Sequence, residues 1–328
     1  MRHVRESLDE TDRRIAAALL VAPRASWRTV ARCLDLSERT VVRRAGPLFA
    51  DGTLRTTVVR APVHFPELIP LALRLRCRPN RIRSTAAALA RRRDTLWVDV
   101  LGGGDEICVV AFLEGAEARD RLLLRDLPAT PEVLSWTAHA LMRVFPAAFS
   151  WTGGLLTSEE EALLRAEHPA REHPPAPVPL TAADHALVRG LIANGRAGYA
   201  ELAERAGIAA PTVRRRLGAL VDHWVVRLAT EVDLALLGVR ADVLLWLTVA
   251  AGELDATAER LSRHPQVRFA AATTGSSNLL VAAAATDLEA LYRFLTDTIG
   301  SLSGIGAIET TPVLATFKRT GLPRQRRG

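Results

Sequence analysis

Two spacings of apolar residues take turns along this chain. In "LDETDRRIAAALLVAP", apolar positions recur at helical spacing through Leu8, Ile15, Ala18 and Leu19. "SWRTVARCL" predicts a second, short helix capped by Ser26. After the turn "DL", "SERTVVRRAGPLF" predicts a third, with Ser37 as N-cap and Glu38 near the positive helix end. "DGTLRTTVVR" follows as a glycine turn and a β-branched strand, read as the wing of a winged helix. The period then shortens. "PLALRLRC", "TLWVDVLG", "EICVVAFLE" and "VLSWTAHALMRVF" read as strands, and "PNRIRSTAAALARR" and "EARDRLLLRDL" as helices between them.

The order of these later elements is β-α-β-β-α-β, a ferredoxin-like unit with an antiparallel sheet. The whole programme then repeats. Sliding the sequence on itself by 172 positions brings Leu8 onto Leu180, Asp12 onto Asp184 and Trp27 onto Tyr199. It also brings Thr40-Val41 onto Thr212-Val213, Arg43-Arg44 onto Arg215-Arg216, Trp97 onto Phe269, Gly103 onto Gly275 and Phe145 onto Phe317. One register held from end to end predicts a duplicated module of about 150 residues, too long for a solenoid repeat. The expected fold class is therefore α+β: two winged helix-turn-helix domains, each followed by a ferredoxin-like βαββαβ domain. The expected boundaries are 1–62, 63–149, a linker at 150–179, 180–236, 237–320 and a basic tail at 321–328. The linker opens with a short helix capped at Thr157 or Ser158. It closes with a proline-rich run, Pro174 to Pro179, expected to be an extended spacer.

On a helical wheel the third helix puts Val41, Ala45 and Leu48 on one face, with Arg39 and Arg43 opposite and Arg44 at the flank. In the second copy Val213, Leu217 and Leu220 form the packing face; Arg215 points away, flanked by Arg214 and Arg216. An arginine-bearing face on the helix after a tight turn suits entry into a major groove. Ser37, Thr40 and Thr212 are candidates for added phosphate bonds. The bland alternative is a solvated face on a three-helix bundle; both copies keeping the Thr-Val…Arg-Arg arrangement weighs against it. Gly46-Pro47 interrupts the first of these helices, where proline removes a bond to the Arg43 carbonyl. The second copy has Gly218-Ala219 there, so a kinked or shortened first reader is expected. The later strands are apolar on both faces, Val243, Leu245 and Leu247 alternating with Leu244, Trp246 and Thr248. Two helices cover one face. The other needs a second such sheet, from this chain or another.

Composition adds direction. The 328 residues carry a formal charge of +7, and Lys318 is the one lysine, so arginine supplies the positive side. That favours an acidic partner, nucleic acid ahead of membrane. Cys33, Cys77 and Cys108 are far apart and form no C-x-x-C pair, which speaks against disulfides or zinc. The first residues, "MRHVRESLDETDRR", lack the apolar stretch of a signal peptide, and no apolar run approaches the ~18 residues of a membrane span. A cytoplasmic protein with no membrane partner is expected. Catalytic motifs are missing too: there is no G-x-S-x-G, P-loop or H-E-x-x-H, and His139 and His264 stand isolated. "GGG" at 102–104 joins two strands and opens no helix, so it is not a nucleotide fingerprint. No cofactor, metal or catalytic residue is expected.

The opening "LDETDRRI" at Leu8–Ile15, the "LSERTVVRR" segment, the strand after it and the βαββαβ unit together resemble the leucine-responsive/asparagine-regulator (Lrp/AsnC) family of transcription factors, here in tandem. The resemblance implies double-stranded DNA as partner and assembly through the ferredoxin-like domains, as a homo-oligomer or an intrachain pseudo-dimer. It also implies a small effector, often an amino acid, near the loop between the second and third strands. That loop holds Gly103, Gly104 and Asp105 in the first copy, and Gly275, Ser276 and Asn278 in the second, which has no aspartate. Two other readings remain: an effector sensor with degenerate helix-turn-helix units, and a relative of the tetrapyrrole (sirohaem) decarboxylases. The latter are similar in fold and carry histidine with a Tyr-Arg-rich segment in the strand pair. Here "WVDVLGGGDEICVVAF" and "FAAATTGSSNLLVAAA" contain no histidine, tyrosine or arginine.

Overall fold

The computed structural model describes residues 5–145, 151–166 and 178–324. The expected extended run at Pro174–Pro177 and the last residues of the basic tail lie outside the described residues. The chain parts into two units that cut across the repeat. One is built from Met1–Pro66 and Gly154–Leu237, the other from Glu67–Gly153 and Gly238–Arg326. Like domains of the two copies thus share a unit.

In the first unit, helices α1 (Glu10–Val21), α2 (Trp27–Leu34) and α3 (Glu38–Ala50) start at Asp9, Ser26 and Ser37, whose side chains accept bonds from backbone N–H groups of the first turn. Asp35 closes α2 in the left-handed conformation at φ 52°. The second copy uses glycine for that step, Gly207 at φ 65°, where no Cβ strain arises. Strand β1 (Arg55–Arg60) follows α3. After α6 (Ser158–Arg165), the second copy supplies α7 (Ala182–Ala193), α8 (Tyr199–Ala206), α9 (Ala210–Asp222) and β6 (Val226–Glu231).

Two expectations need correction. The strand after each third helix does not fold back as a wing hairpin. β1 pairs antiparallel with β6, from Arg55 opposite Glu231 to Arg60 opposite Val226. One isolated strand leaves its polar backbone unpaired, and the other copy supplies the missing ladder. Helix α3 is also not shortened. It spans 13 residues through Pro47, as long as α9. Gly46 and Pro47 are exposed, as is Arg43, so water can serve the carbonyl that proline leaves free.

Reciprocal bonds clasp the two copies. Arg24 donates to the carbonyls of Gly195 (2.6 Å) and Ala197 (3.1 Å), and Arg196 to those of Pro23 (2.7 Å) and Ala25 (3.2 Å). Arg196 also stacks over Trp27 at 4.2 Å. Burial, with the nearby Arg24 charge, brings the Arg196 pKa down to about 10. Helix α6, inside the expected linker, packs on the first copy: Glu160 pairs with Arg14, and Leu164 is buried.

The second unit holds both βαββαβ domains. The first runs β2 (Leu68–Cys77), α4 (Ile82–Arg91), β3 (Thr95–Leu101), β4 (Glu106–Glu114), α5 (Gly115–Arg121, prolonged as a wider helical turn to Asp126) and β5 (Val133–Val144). The second runs β7 (Ala241–Val249), α10 (Leu254–Ser262), β8 (Val267–Thr273), β9 (Leu279–Ala285), α11 (Leu288–Arg293, prolonged to Ile299) and β10 (Ile305–Arg319). Leu322–Pro323, placed in the tail by sequence, form a short strand, β11, against the end of β10.

Each domain orders its strands second-third-first-fourth, and the fourth strand of each pairs with the second strand of the other. The two seams share one register. Leu141 faces Thr273 and Arg143 faces Ala272; at the equivalent places Val313 faces Leu101 and Ala315 faces Val100, each with one irregularity between. Among the described residues eight strands thereby close into a ring, and the apolar second face finds its cover inside the same chain. Each sheet's other face packs on its helices, Leu73, Val98 and Val109 against Ala86 and Leu89, and Leu245, Ala270 and Val281 against Ala258 and Leu261. Phe145 of the first copy is fully buried in the second copy's core, and Phe317 packs on the first copy's.

Candidate nucleic-acid interface and effector cavity

The third helices divide their arginines between two jobs. Val41, Ala45 and Leu48 of α3, and Val213, Leu217 and Leu220 of α9, are buried as the wheel predicts. Arg39 and Arg43, and likewise Arg214 and Arg215, are exposed and make no ion pair among the described residues. Arg44 and Arg216 differ. Arg44 pairs with Asp9 and lies 3.4 Å from Asp12, both at the start of α1. Arg216 pairs with Asp184 of α7 at 2.9 Å and reaches the Thr181 hydroxyl at 3.2 Å. These two arginines tie each third helix to its first. The hydroxyls are partly engaged: Ser37 accepts from the Thr40 N–H at 3.1 Å, and its hydroxyl meets that of Thr40 at 2.8 Å. Thr212, in α9, is half-buried.

The paired carboxylates do not behave alike. Burial and the neighbouring Asp9 charge raise the Asp12 pKa, with Arg44 opposing. For Asp184, burial pulls upward, but hydrogen bonds from Thr181 and Arg216 with the Arg216 charge bring it below the usual carboxylate value.

The expected effector loops fall in different settings. In the first copy Gly104 turns at φ 71° and its N–H bonds the Leu101 carbonyl at 2.9 Å, a hairpin turn. Gly103 lies so close to the Asp105 carboxylate that a Cβ there would stand 2.7 Å from it. In the second copy Asn278 is structural: its side chain accepts from the Val249 N–H (2.8 Å) and donates to the Val249 carbonyl (2.7 Å). Gly275, at φ 107°, leaves room for the His139 ring. Ser276 lines a cavity of about 280 Å³ with Ser277, Arg74, Glu106, Trp246 and Glu309. Gly103, Gly104 and Asp105 are not among its lining residues.

Sequence reasoning missed the chemistry of this cavity. Arg74 bonds Glu106 on its own sheet and Glu309 of the other copy at 2.6 and 2.8 Å, and its guanidinium lies 5.3 Å over the Trp246 ring. The Glu309 and Glu106 carboxylates raise the Arg74 pKa, and that guanidinium lowers the pKa of Glu309. His139, read as isolated, sits 5.4 Å from Trp246, its Nδ1 2.7 Å from the Thr274 carbonyl. The buried Trp246 Nε1 has no hydrogen-bond partner. Its signal in the sequence was Arg74 and Arg76 alternating with leucines on the face that needed cover.

Fold and site define a class: a DNA-binding regulator that joins helix-turn-helix units to ferredoxin-like effector domains. Two segments, 8–46 and 180–221, match the AsnC-type helix-turn-helix domain, and 242–323 match the Lrp/AsnC ligand binding domain. The chain is 30% identical over 144 residues to the HTH-type transcriptional regulator FL11 of Pyrococcus horikoshii, covering 95% of that protein and 44% of itself. It is 24% identical over 141 residues to the transcriptional regulator AzlB of Bacillus subtilis, covering 90% of it and 42% of itself. The chain belongs to the Lrp/AsnC family, written twice over. Among solved structures, the siroheme decarboxylase NirDL is similar in fold, with TM-score 0.57 and 12% identity over 95% of this chain and 93% of that one.

Proposed function

We propose that this Lrp/AsnC-type transcriptional regulator binds DNA as a single chain carrying two unlike readers, α3 and α9. One observation carries this: both helices hold one arginine back for anchoring and leave others free, Arg39 and Arg43 on α3, Arg214 and Arg215 on α9. Free guanidiniums on the N-terminal half of such a helix can reach base edges, while the anchoring arginines set the angle of the helix. Arg44 and Arg216 therefore leave the set of base-contact candidates. A titration of labelled upstream DNA at rising salt tests the reading. Affinity should fall steeply with salt, and Arg43→Ala and Arg215→Ala should each weaken binding. Salt-insensitive binding, untouched by both changes, would instead favour a sensor with degenerate helix-turn-helix units.

The effector site we assign is the cavity beside Ser276, bordered by both copies, with Arg76 and the Trp246 N–H as donors to a small ligand. Calorimetry with single amino acids tests it, and no heat from any of them would count against it. The protein acts in the cytoplasm as a regulator and not as a decarboxylase. The strand pairs at 97–112 and 269–284 contain no histidine, tyrosine or arginine. A tetrapyrrole absorption band in the purified protein would reverse that reading. Among the described residues no helix is long and apolar enough to cross a membrane.

A further inference from the structure

From the contacts across the closed ring we infer that each ferredoxin-like copy carries a docking surface coded for the other copy and against a second copy of itself. Residues 172 positions apart are equivalent, so side chains that meet near the internal two-fold show directly what a like pair would bring together. Arg74 and Trp246 are such equivalents, and they stack on each other at 5.3 Å. Trp97 and Phe269 are another pair, with ring centroids 4.7 Å apart. Both contacts join unlike residues.

The charges around them are complementary in one sense only. Arg74 takes Glu309 from the second copy; the first copy has Thr137 at the position of Glu309. Buried Asp99 of the first copy lies 3.5 Å from Arg319 of the second, whose nearer carboxylate is Asp242 of its own copy at 3.1 Å; Arg268 of the second, held by Asp242 at 2.6 Å, lies 5.2 Å over Trp97 of the first. The first copy has Ala147 and Leu96 in place of those arginines, and the second has Ala271 in place of Asp99. Arg143 of the first copy pairs with Asp255 (2.9 Å) and Glu259 (3.1 Å) of the second, whose first-copy equivalents are Arg83 and Ala87.

Two first copies brought together would set Arg74 against Arg74 and Arg143 against Arg83, and would leave Asp99 buried without a cation. Two second copies would stack Trp246 on Trp246 at the axis, and the exposed Glu309 would lose its partner Arg74. An unpaired buried charge is costly, and so are two bulky or like-charged groups on one axis. A surface that disfavours its own kind as well as fitting its partner is a specificity device. It keeps the two readers as one unlike pair per assembly, whatever the concentration of chains.

The test starts from the full chain with a protease site placed in the linker between 167 and 177, cut after folding. Light and isotope-heavy preparations are mixed in enough denaturant for the halves to exchange, then returned to buffer and weighed by native mass spectrometry. The inference expects unlike pairs, light with heavy included, to exceed like pairs by at least roughly tenfold, about 1.4 kcal/mol. Like and unlike pairs in statistical proportion would overturn it. Should the halves fail to exchange, the uncut chain decides by melting. Trp246→Arg should lower the melting temperature several degrees more in the native background than in an Arg74→Leu background. Equal losses in the two backgrounds would overturn the inference.

Discussion

The two helix-turn-helix copies share a scaffold and differ in how they present it. In both, an arginine midway along the third helix reaches back to an acid at the start of the first: Arg44 to Asp9 and Asp12, Arg216 to Asp184. In the second copy Thr181 stands where the first has Asp9, so one threonine caps the helix and leaves Asp184 as the sole carboxylate for the arginine. The first copy crowds two carboxylates around one guanidinium, and Asp12 is the loser. The outward faces differ more. The first reader spaces Arg39 and Arg43 one turn apart, with Val42 exposed beside them. The second sets Arg214 and Arg215 side by side and has Pro211 where the first has Arg39. The anchors are shared where the scaffold needs them, and the outward faces of the third helices diverge.

Arg215→Ala should weaken DNA binding by roughly 1–3 kcal/mol, read by fluorescence anisotropy, while leaving the melting temperature unchanged. Unchanged affinity would remove Arg215 from the reading face. Next in size is the anchor. Asp184→Asn should cost about 1–3 kcal/mol of stability in chemical denaturation, because Arg216 loses a largely buried partner. Asp12→Asn should cost less, since its carboxylate is already disfavoured where it sits. Equal losses would erase the distinction between the copies.

The two carboxylates respond to acid in opposite directions. The folded-state pKa of Asp184 is lowered, so its contribution is present above the usual aspartate range and is lost as pH falls through the folded value. For Asp12 the folded-state pKa is raised, so its carboxylate weighs against folding above that range and is relieved on acidification. Asp184→Asn should therefore flatten the acid limb of the stability curve, and Asp12→Asn should steepen it. The smallest effect belongs to Pro47→Ala. It restores one helical bond on an exposed face, a gain of about 1 kcal/mol, with DNA affinity unchanged because Arg39 and Arg43 precede it. A change in DNA affinity would show that the proline shapes the reader.

Much of this was legible in the sequence, and the misses share a cause. Periodicity and the 172-residue register fixed the elements, the duplication and the buried faces of α3 and α9, all properties of local spacing. Spacing does not say which strand a strand will pair with. β1 looked like half of a wing because its partner, β6, lies in the other copy. The cavity was hidden for the same reason, since Arg74 and Glu309 are 235 positions apart. Arg44 and Arg216 were read as DNA-contact candidates, and their ion pairs to the first helix had a clue in the sequence. Each copy opens α1 or α7 with an aspartate at the same register, Asp12 and Asp184, and a flanking arginine on a packed helix seeks such a partner.

Selection of bound sequences from a random DNA library, with the mass of the complex measured alongside, tests whether one chain presents two unlike readers. One chain on a site of two unlike half-sites, with Arg43→Ala relaxing one half and Arg215→Ala the other, is the predicted result. A symmetric palindrome, with both substitutions acting alike on both halves, would contradict it.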